Sequence, residues 1–159
     1  MWAGVNPVFY RCPVCRQHGT AQALKYSKVL PMQGLHLTAD LHHCQCDMAW
    51  LTDAQVLLAR CVDSAQAAGL QAVNSLAHTF PATMHGPGGV TATVLLAESH
   101  LCVHTWPEQK AVTLDVYVCN FGGDHCAQAH QVMDALVALF VPQSVLRQDL
   151  QRGHVGAVD

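Results

Sequence analysis

Charge is scarce in this sequence. Asp, Glu, Lys and Arg make up only 12% of its 159 residues, about half the usual ~25%. Its 8 Lys and Arg form no basic run, which argues against a nucleic-acid or anionic-membrane surface. No apolar stretch approaches the ~20 residues of a membrane span. The start, Met1-Trp2-Ala3-Gly4, lacks the basic-then-apolar build of a secretory signal. Internal repeats and low-complexity segments are also missing. These absences together suggest a cytoplasmic protein. In such a compartment its 8 Cys are expected as reduced thiols or metal ligands, not as a disulfide framework.

What is present is a core. The length fits one domain, and a domain of this size buries ~70% of the surface of its unfolded chain. Hydrophobic residues reach 51%, so disorder is excluded. With so few charges to cover the surface, part of it is expected to be covered by a partner subunit. The 11 His outnumber the 8 Lys and Arg, which directs attention to proton or metal chemistry.

Residues 1–33 carry Pro7, Pro13 and no clear period, and are too short to bury a core alone. They read as an N-terminal extension to a domain over 34–159. Residues 35–41 alternate as a strand. Thr52 or Asp53 can cap a helix whose inner stripe is Ala54, Leu57, Leu58, Cys61, Ala65 and Ala68, with Gly69 as its stop. Strands are expected at about 71–79, 90–104 and 111–119, the last two joined by a turn at 106–110. Between the first two lies a loop rich in Pro and Gly. Asp124 is placed to cap a second helix with Ala129, Val132, Met133, Leu136, Val137 and Phe140 inside, ended by Pro142. A short strand at 144–150 closes the order. This pattern predicts an α+β two-layer sandwich: an antiparallel sheet with two helices on one face. The other face needs cover, which suggests a dimer.

Residues 95–108 pack Glu98, Ser99, His100, Cys102, His104 and Glu108 into a run that should be a buried strand. Such groups cost several kcal/mol to bury unless paired, and local fold logic gives no reason for them. With the turn centred near residue 109, Ser99 is expected opposite Cys119 and His104 opposite Leu114. Ser99 and His104 differ in parity, so a regular strand points them to opposite faces. For both to serve one site the strand must bend, bulge or be cut.

These residues resemble the prokaryotic S-adenosylmethionine decarboxylase proenzymes. The matching runs are Glu98-Ser99-His100, His104-Thr105-Trp106-Pro107-Glu108 and Asp115-Val116-Tyr117-Val118-Cys119. Gly34-Leu35-His36-Leu37, Gly89-Val90-Thr91 and Arg152-Gly153 also fit, so the likeness spans roughly 34–153. It implies a self-processing lyase. Ser99 attacks the carbonyl of Glu98, the chain is cut between Glu98 and Ser99, and residue 99 becomes a pyruvoyl group. That ketone can take a substrate amine as a Schiff base and draw electrons from a decarboxylation, as pyridoxal phosphate does elsewhere. By the same resemblance His104 takes a proton in the cleavage and Cys119 donates one after decarboxylation. Trp106 stacks on the adenine and Glu108 accepts from the ribose hydroxyls. The implied product is the aminopropyl donor of spermidine synthesis, and the implied assembly is a homodimer of processed protomers with shared sites.

The sequence departs from that pattern in places. Val118 stands where a Thr is common, Asn120 where a Gly is, and Cys102 where Ser or Thr is usual. Residues 80–85 do not align with the family's second adenine-stacking aromatic. Two rival readings use the same residues: a pyruvoyl decarboxylase of a simpler amino acid such as ornithine or arginine, and an unprocessed zinc-binding homologue. A conventional serine hydrolase is disfavoured, because no Gly-x-Ser-x-Gly elbow surrounds Ser99. Separately, Cys12 and Cys15 form a metal knuckle that Cys44 and Cys46 can complete as a tetrahedral zinc site.

Overall fold

The computed structural model describes residues 33–153. Both the expected extension, up to residue 32, and the last six residues of the expected domain lie outside the described residues. Six strands form one sheet: β1 (Gly34–His42), β2 (Ala72–Thr79), β3 (Val90–Leu96), β4 (Ser99–Trp106), β5 (Ala111–Cys119) and β6 (Ser144–Arg152). Their spatial order is β2-β3-β4-β5-β1-β6, and every neighbouring pair is antiparallel. Three helices complete the fold: α1 (Ala49–Thr52), α2 (Ala54–Ala67) and α3 (Cys126–Phe140).

Alternation decides which face is core. Leu35, Leu37, Ala39 and Leu41 on β1, and Val112, Leu114, Val116 and Val118 on β5, are all buried. On this face α2 packs over β2 and β3, and α3 over β1 and β5. Leu57, Cys61, Ala65 and Ala68 of the expected α2 stripe are buried, while Ala54 and Leu58 pack at its margin. All six expected inner residues of α3 are buried. Asp53, not Thr52, caps α2: its Oδ1 accepts from the N–H groups of Gln55 and Val56 at 2.9 and 3.1 Å. Gly69 stops the helix at φ +80°, a conformation that glycine adopts without a Cβ penalty. The expected cap at Asp124 is displaced by one residue. His125 occupies the cap position without a side-chain bond, and Asp124 Oδ1 accepts from Cys126 N–H at 2.9 Å.

Two expectations need correction. The run expected as one strand over 90–104 is a hairpin, cut at Ala97-Glu98, with Leu96 paired to Ser99. The turn contains no Gly, Pro, Asn or Asp, and neither Ala97 nor Glu98 has positive φ, so the usual signals of a two-residue hairpin are missing. It is fastened instead by Ala97 N–H donating to Gln71 O at 3.0 Å. The second correction is one of register: His104 pairs with Thr113, not Leu114, and His100 with Tyr117. Ser99 therefore projects onto Val118, one residue short of Cys119. The shift arises because Pro107–Gln109 form a 3-10 turn, with Lys110 left-handed at φ 47°.

Thr105 is the buried polar residue that ties these layers together. Its hydroxyl donates to Leu51 O of α1 at 2.6 Å and accepts from Val90 N–H of β3 at 2.7 Å. Beside it, a Cβ on Gly89 would lie 1.9 Å from Thr105 O, so the chain can pass there only as glycine. Replacing the hydroxyl by a methyl leaves two buried backbone groups unpaired, at about 1–3 kcal/mol each. Thr105→Val is expected to lower the thermal midpoint by several degrees, and an unchanged midpoint in a melting experiment would refute this role.

Candidate active site

Two of the clefts on the sheet hold the expected site residues. The first, of about 280 Å³, lies at the start of β4 and is lined by Glu98, Ser99, Gly122 and His125, with Leu70 and Gln71 behind. Ser99 sits directly after the hairpin turn, and its Oγ accepts the backbone N–H of Cys119 at 3.0 Å. Cys119 itself is buried at the end of β5. The Glu98 carboxylate lies over Gly122, where a Cβ would come within 3.6 Å of Oε1. Asn120 braces the loop beyond Cys119. Its Oδ1 accepts from His125 N–H at 3.0 Å, and its Nδ2 contacts Cys126 Sγ at 3.3 Å. The residue has no positive φ, so it replaces glycine by making bonds rather than by adopting glycine's conformation. Hydrogen bonds from Cys126 hold the Asp124 carboxyl below its ordinary range. Within the cleft, His125 Nδ1 is buried and has no hydrogen-bond partner among the described residues.

The second cleft, of about 340 Å³, lies at the far end of β4 and is lined by Phe80, Thr91, His104, Trp106 and Glu108 among others. Thr91 Oγ1 is 2.8 Å from His104 Nδ1, across the strand pair. The His104 and Trp106 rings are 6.2 Å apart at 45°. Glu108 is exposed in the 3-10 turn that follows. Phe80 is half exposed on the approach to β3. It supplies a second aromatic to this cleft from a region that sequence reasoning left unassigned.

The structure thus sorts the expected residues into two groups. Ser99, Glu98 and Cys119 meet at one end; His104, Trp106 and Glu108 meet at the other. The pairings of β4 with β3 and β5 run without a bulge from His100 to His104. Five residues of strand separate Ser99 from His104 by about 17 Å, and alternation turns them to opposite faces. Neither a bend nor a cut lies between them, because the cut falls before Ser99.

Sequence reasoning assigned no role to a third group, on the open face of the sheet. Asp115 Oδ2 lies 3.5 Å from His36 Nε2 and 3.6 Å from His100 Nε2. These are ion-pair distances without hydrogen-bond alignment, and His36 Nε2 has no directed partner among the described residues. Arg152 Nη1 contacts His36 Nδ1 at 3.1 Å and its guanidinium lies 5.3 Å from the Tyr117 ring centroid. The alternation of β1, β4 and β5 was the signal that could have gathered these residues.

Of the expected zinc ligands, Cys12 and Cys15 lie outside the described residues. Cys44 is buried and Cys46 partly so, both as free thiols. Burial, and then the neighbouring Cys46, push the Cys44 thiol up to about 11. Among the described residues no group of three or more His, Cys, Asp or Glu side chains is arranged to hold a metal ion.

The sequence profile described as S-adenosylmethionine decarboxylase matches residues 35–153. The S-adenosylmethionine decarboxylase proenzyme of Aquifex aeolicus is 37% identical over 123 residues, covering 77% of this chain and 82% of that one. The proenzyme of the same name from Hydrogenobaculum is 35% identical, again over 77% of this chain and 83% of its own. The crystal structure of the adenosylmethionine decarboxylase from Aquifex aeolicus superposes with a TM-score of 0.67 at 30% identity, covering 82% of this chain and 98% of that chain. A profile matched over nearly the whole described fold, relatives of this identity and the same architecture lead to one conclusion: the chain belongs to the S-adenosylmethionine decarboxylase family.

Proposed function

We propose that this chain is a self-cleaving decarboxylase of S-adenosylmethionine, and that it works as a homodimer in which each site takes Ser99 and Cys119 from one protomer and His104, Trp106 and Glu108 from the other. The observation that supports this reading is the separation of those residues along an unbroken strand. Each half lacks what the other holds, and two antiparallel copies supply two complete sets.

In the cleavage, Ser99 Oγ forms a bond to the Glu98 carbonyl carbon as the Glu98–Ser99 peptide bond breaks. The hydroxyl proton passes to the freed amine, and an ester remains. The Cys119 N–H on Oγ and the placement of Ser99 directly after a tight turn favour this attack by fixing the nucleophile. His104 of the partner then takes the Cα proton of Ser99, the ester C–O bond breaks, and Glu98 departs as a carboxylate. Water replaces the nitrogen as ammonia, leaving the ketone at residue 99. The group fits this place: residue 99 opens onto a cleft and, among the described residues, touches no other side chain by hydrogen bond. A pyruvoyl ketone supplies an electron sink for the loss of carbon dioxide.

The remaining work falls to side chains. Trp106 and Phe80 offer apolar faces to the adenine. Glu108 accepts from the ribose hydroxyls. Cys119 Sγ delivers the proton to the carbon that has lost its carboxylate. The product is the aminopropyl donor for spermidine synthesis. Free thiols at all six described cysteines are in keeping with work in the cytoplasm. Among the described residues no helix is long and apolar enough to cross a membrane.

Purified protein is expected to run as two fragments, residues 1–98 and 99–159, the second without a free amino terminus, and Ser99→Ala is expected to stay whole. A stable full-length wild-type chain by intact mass would contradict the reading. The substrate is tested by carbon dioxide release from S-adenosylmethionine, ornithine and arginine side by side. Trp106→Ala and Glu108→Ala are each expected to raise KM for S-adenosylmethionine roughly ten- to hundred-fold, while both fragments still form. Activity on an amino acid alone, indifferent to Glu108, would overturn the substrate assignment and leave the cleavage standing.

A further inference from the structure

Cys102 is one of the departures from family pattern that the proposed mechanism does not use. It lies two residues before His104 on β4, so the two side chains share a face. Opposite them on β3 stand Thr93 and Thr91, each in direct register. The four form a connected chain: Thr93 Oγ1 to Cys102 Sγ at 3.3 Å, Cys102 Sγ to His104 Nε2 at 3.4 Å, and His104 Nδ1 to Thr91 Oγ1 at 2.8 Å. Both ring nitrogens of His104 are therefore engaged.

We propose that Cys102 is a positioning residue for His104, holding Nε2 as the unprotonated nitrogen that takes the proton in self-cleavage. The proposal deepens the self-cleavage reading and rests on it. A neutral imidazole has one donor and one acceptor nitrogen. Sulfur is a weak acceptor and an imidazole lone pair a good one, so the favourable pairing at Nε2 is the thiol donating to nitrogen. Nδ1 then carries the proton and donates to the Thr91 hydroxyl, a strong acceptor at short range. The Thr93 hydroxyl donates to sulfur, which leaves the thiol proton aimed at Nε2. The ring is fixed from both ends, and Nε2 is left as the basic nitrogen.

The contact at Nε2 is also the long, weak one. When the Ser99 Cα–H proton transfers to Nε2 and the ester C–O bond breaks, the thiol proton turns away. Cys102 stays neutral throughout, and it neither gains nor loses electrons.

The test reads the tautomer of His104 directly, from its ring ¹⁵N shifts in the purified protein with both fragments associated, at a pH where the ring is neutral, with His104→Gln used to assign the signal. Wild type is expected as the Nδ1–H tautomer, Cys102→Ala as Nε2–H, and Cys102→Ser as wild type. In parallel, Cys102→Ala is expected to lengthen the self-cleavage half-time roughly tenfold by intact mass, accumulating an ester that hydroxylamine cuts, with Cys102→Ser restoring the rate. An Nε2–H tautomer in wild type would overturn the proposal, and this needs no variant to fold. So would a slower Cys102→Ala with an unchanged tautomer, because that marks a merely structural effect. If wild type fails to cleave at all, the self-cleavage reading falls, and the tautomer still decides the role of Cys102 in orienting the ring.

Discussion

Everything distinctive about this molecule depends on the pleat of one strand. β4 runs from Ser99 to Trp106 with regular pairing on both sides. A pleated strand alternates its side chains and rises about 3.3 Å per residue, so an odd separation of five residues means opposite faces and about 17 Å. No rotamer change spans that distance. Ser99 is turned toward the loop after β5, and His104 toward the mouth formed by β3 and the 3-10 turn. In the proposed dimer the chemistry of the pair is divided between two chains, with the sheet acting as a fixed spacer between two half-sites.

The same geometry explains the composition. One face of the sheet is closed by α2 and α3 over a continuous aliphatic core. The other face carries His36, Thr38, His100, Cys102, His104, Asp115 and Tyr117, none of them fully buried. Apolar side chains stand among them: Leu76 is 75% exposed and Leu95 47%. On a chain this poor in charge, such a surface is costly to leave in water. A second copy placed over it would cover the apolar residues and the face that carries His104.

Much of this was legible in the residues. The stripe of α3 and the alternation of β5 were read correctly because burial enforces their periods. What failed was punctuation. The hairpin at Ala97-Glu98 has none of the residues that mark turns, so 90–104 read as one strand. Its cut placed Ser99 first on a new strand, where sequence alone could assign it only by resemblance. The register error came from a turn in which Lys110 adopts a left-handed conformation that no glycine announces. The cluster at His36, His100, Asp115 and Arg152 draws on four separate segments, and only the pairings of β5 with β4 and β1, and of β1 with β6, bring them together. The parity conflict between Ser99 and His104, by contrast, was visible from the numbering. The strand resolves it by staying straight, not by bending.

The most direct measurement of the shared site is complementation between two defective chains. Ser99→Ala lacks the residue that is cut, and His104→Ala lacks the residue that takes the proton. If each site draws on both protomers, co-expression of the two yields mixed dimers in which intact Ser99 of one chain faces intact His104 of the other. Cleavage should then appear in the His104→Ala chain alone, together with carbon dioxide release that neither parent shows. If Ser99 and His104 act within one chain, the mixture will stay uncleaved and inactive, and the two half-sites will have to be reinterpreted as unrelated clefts.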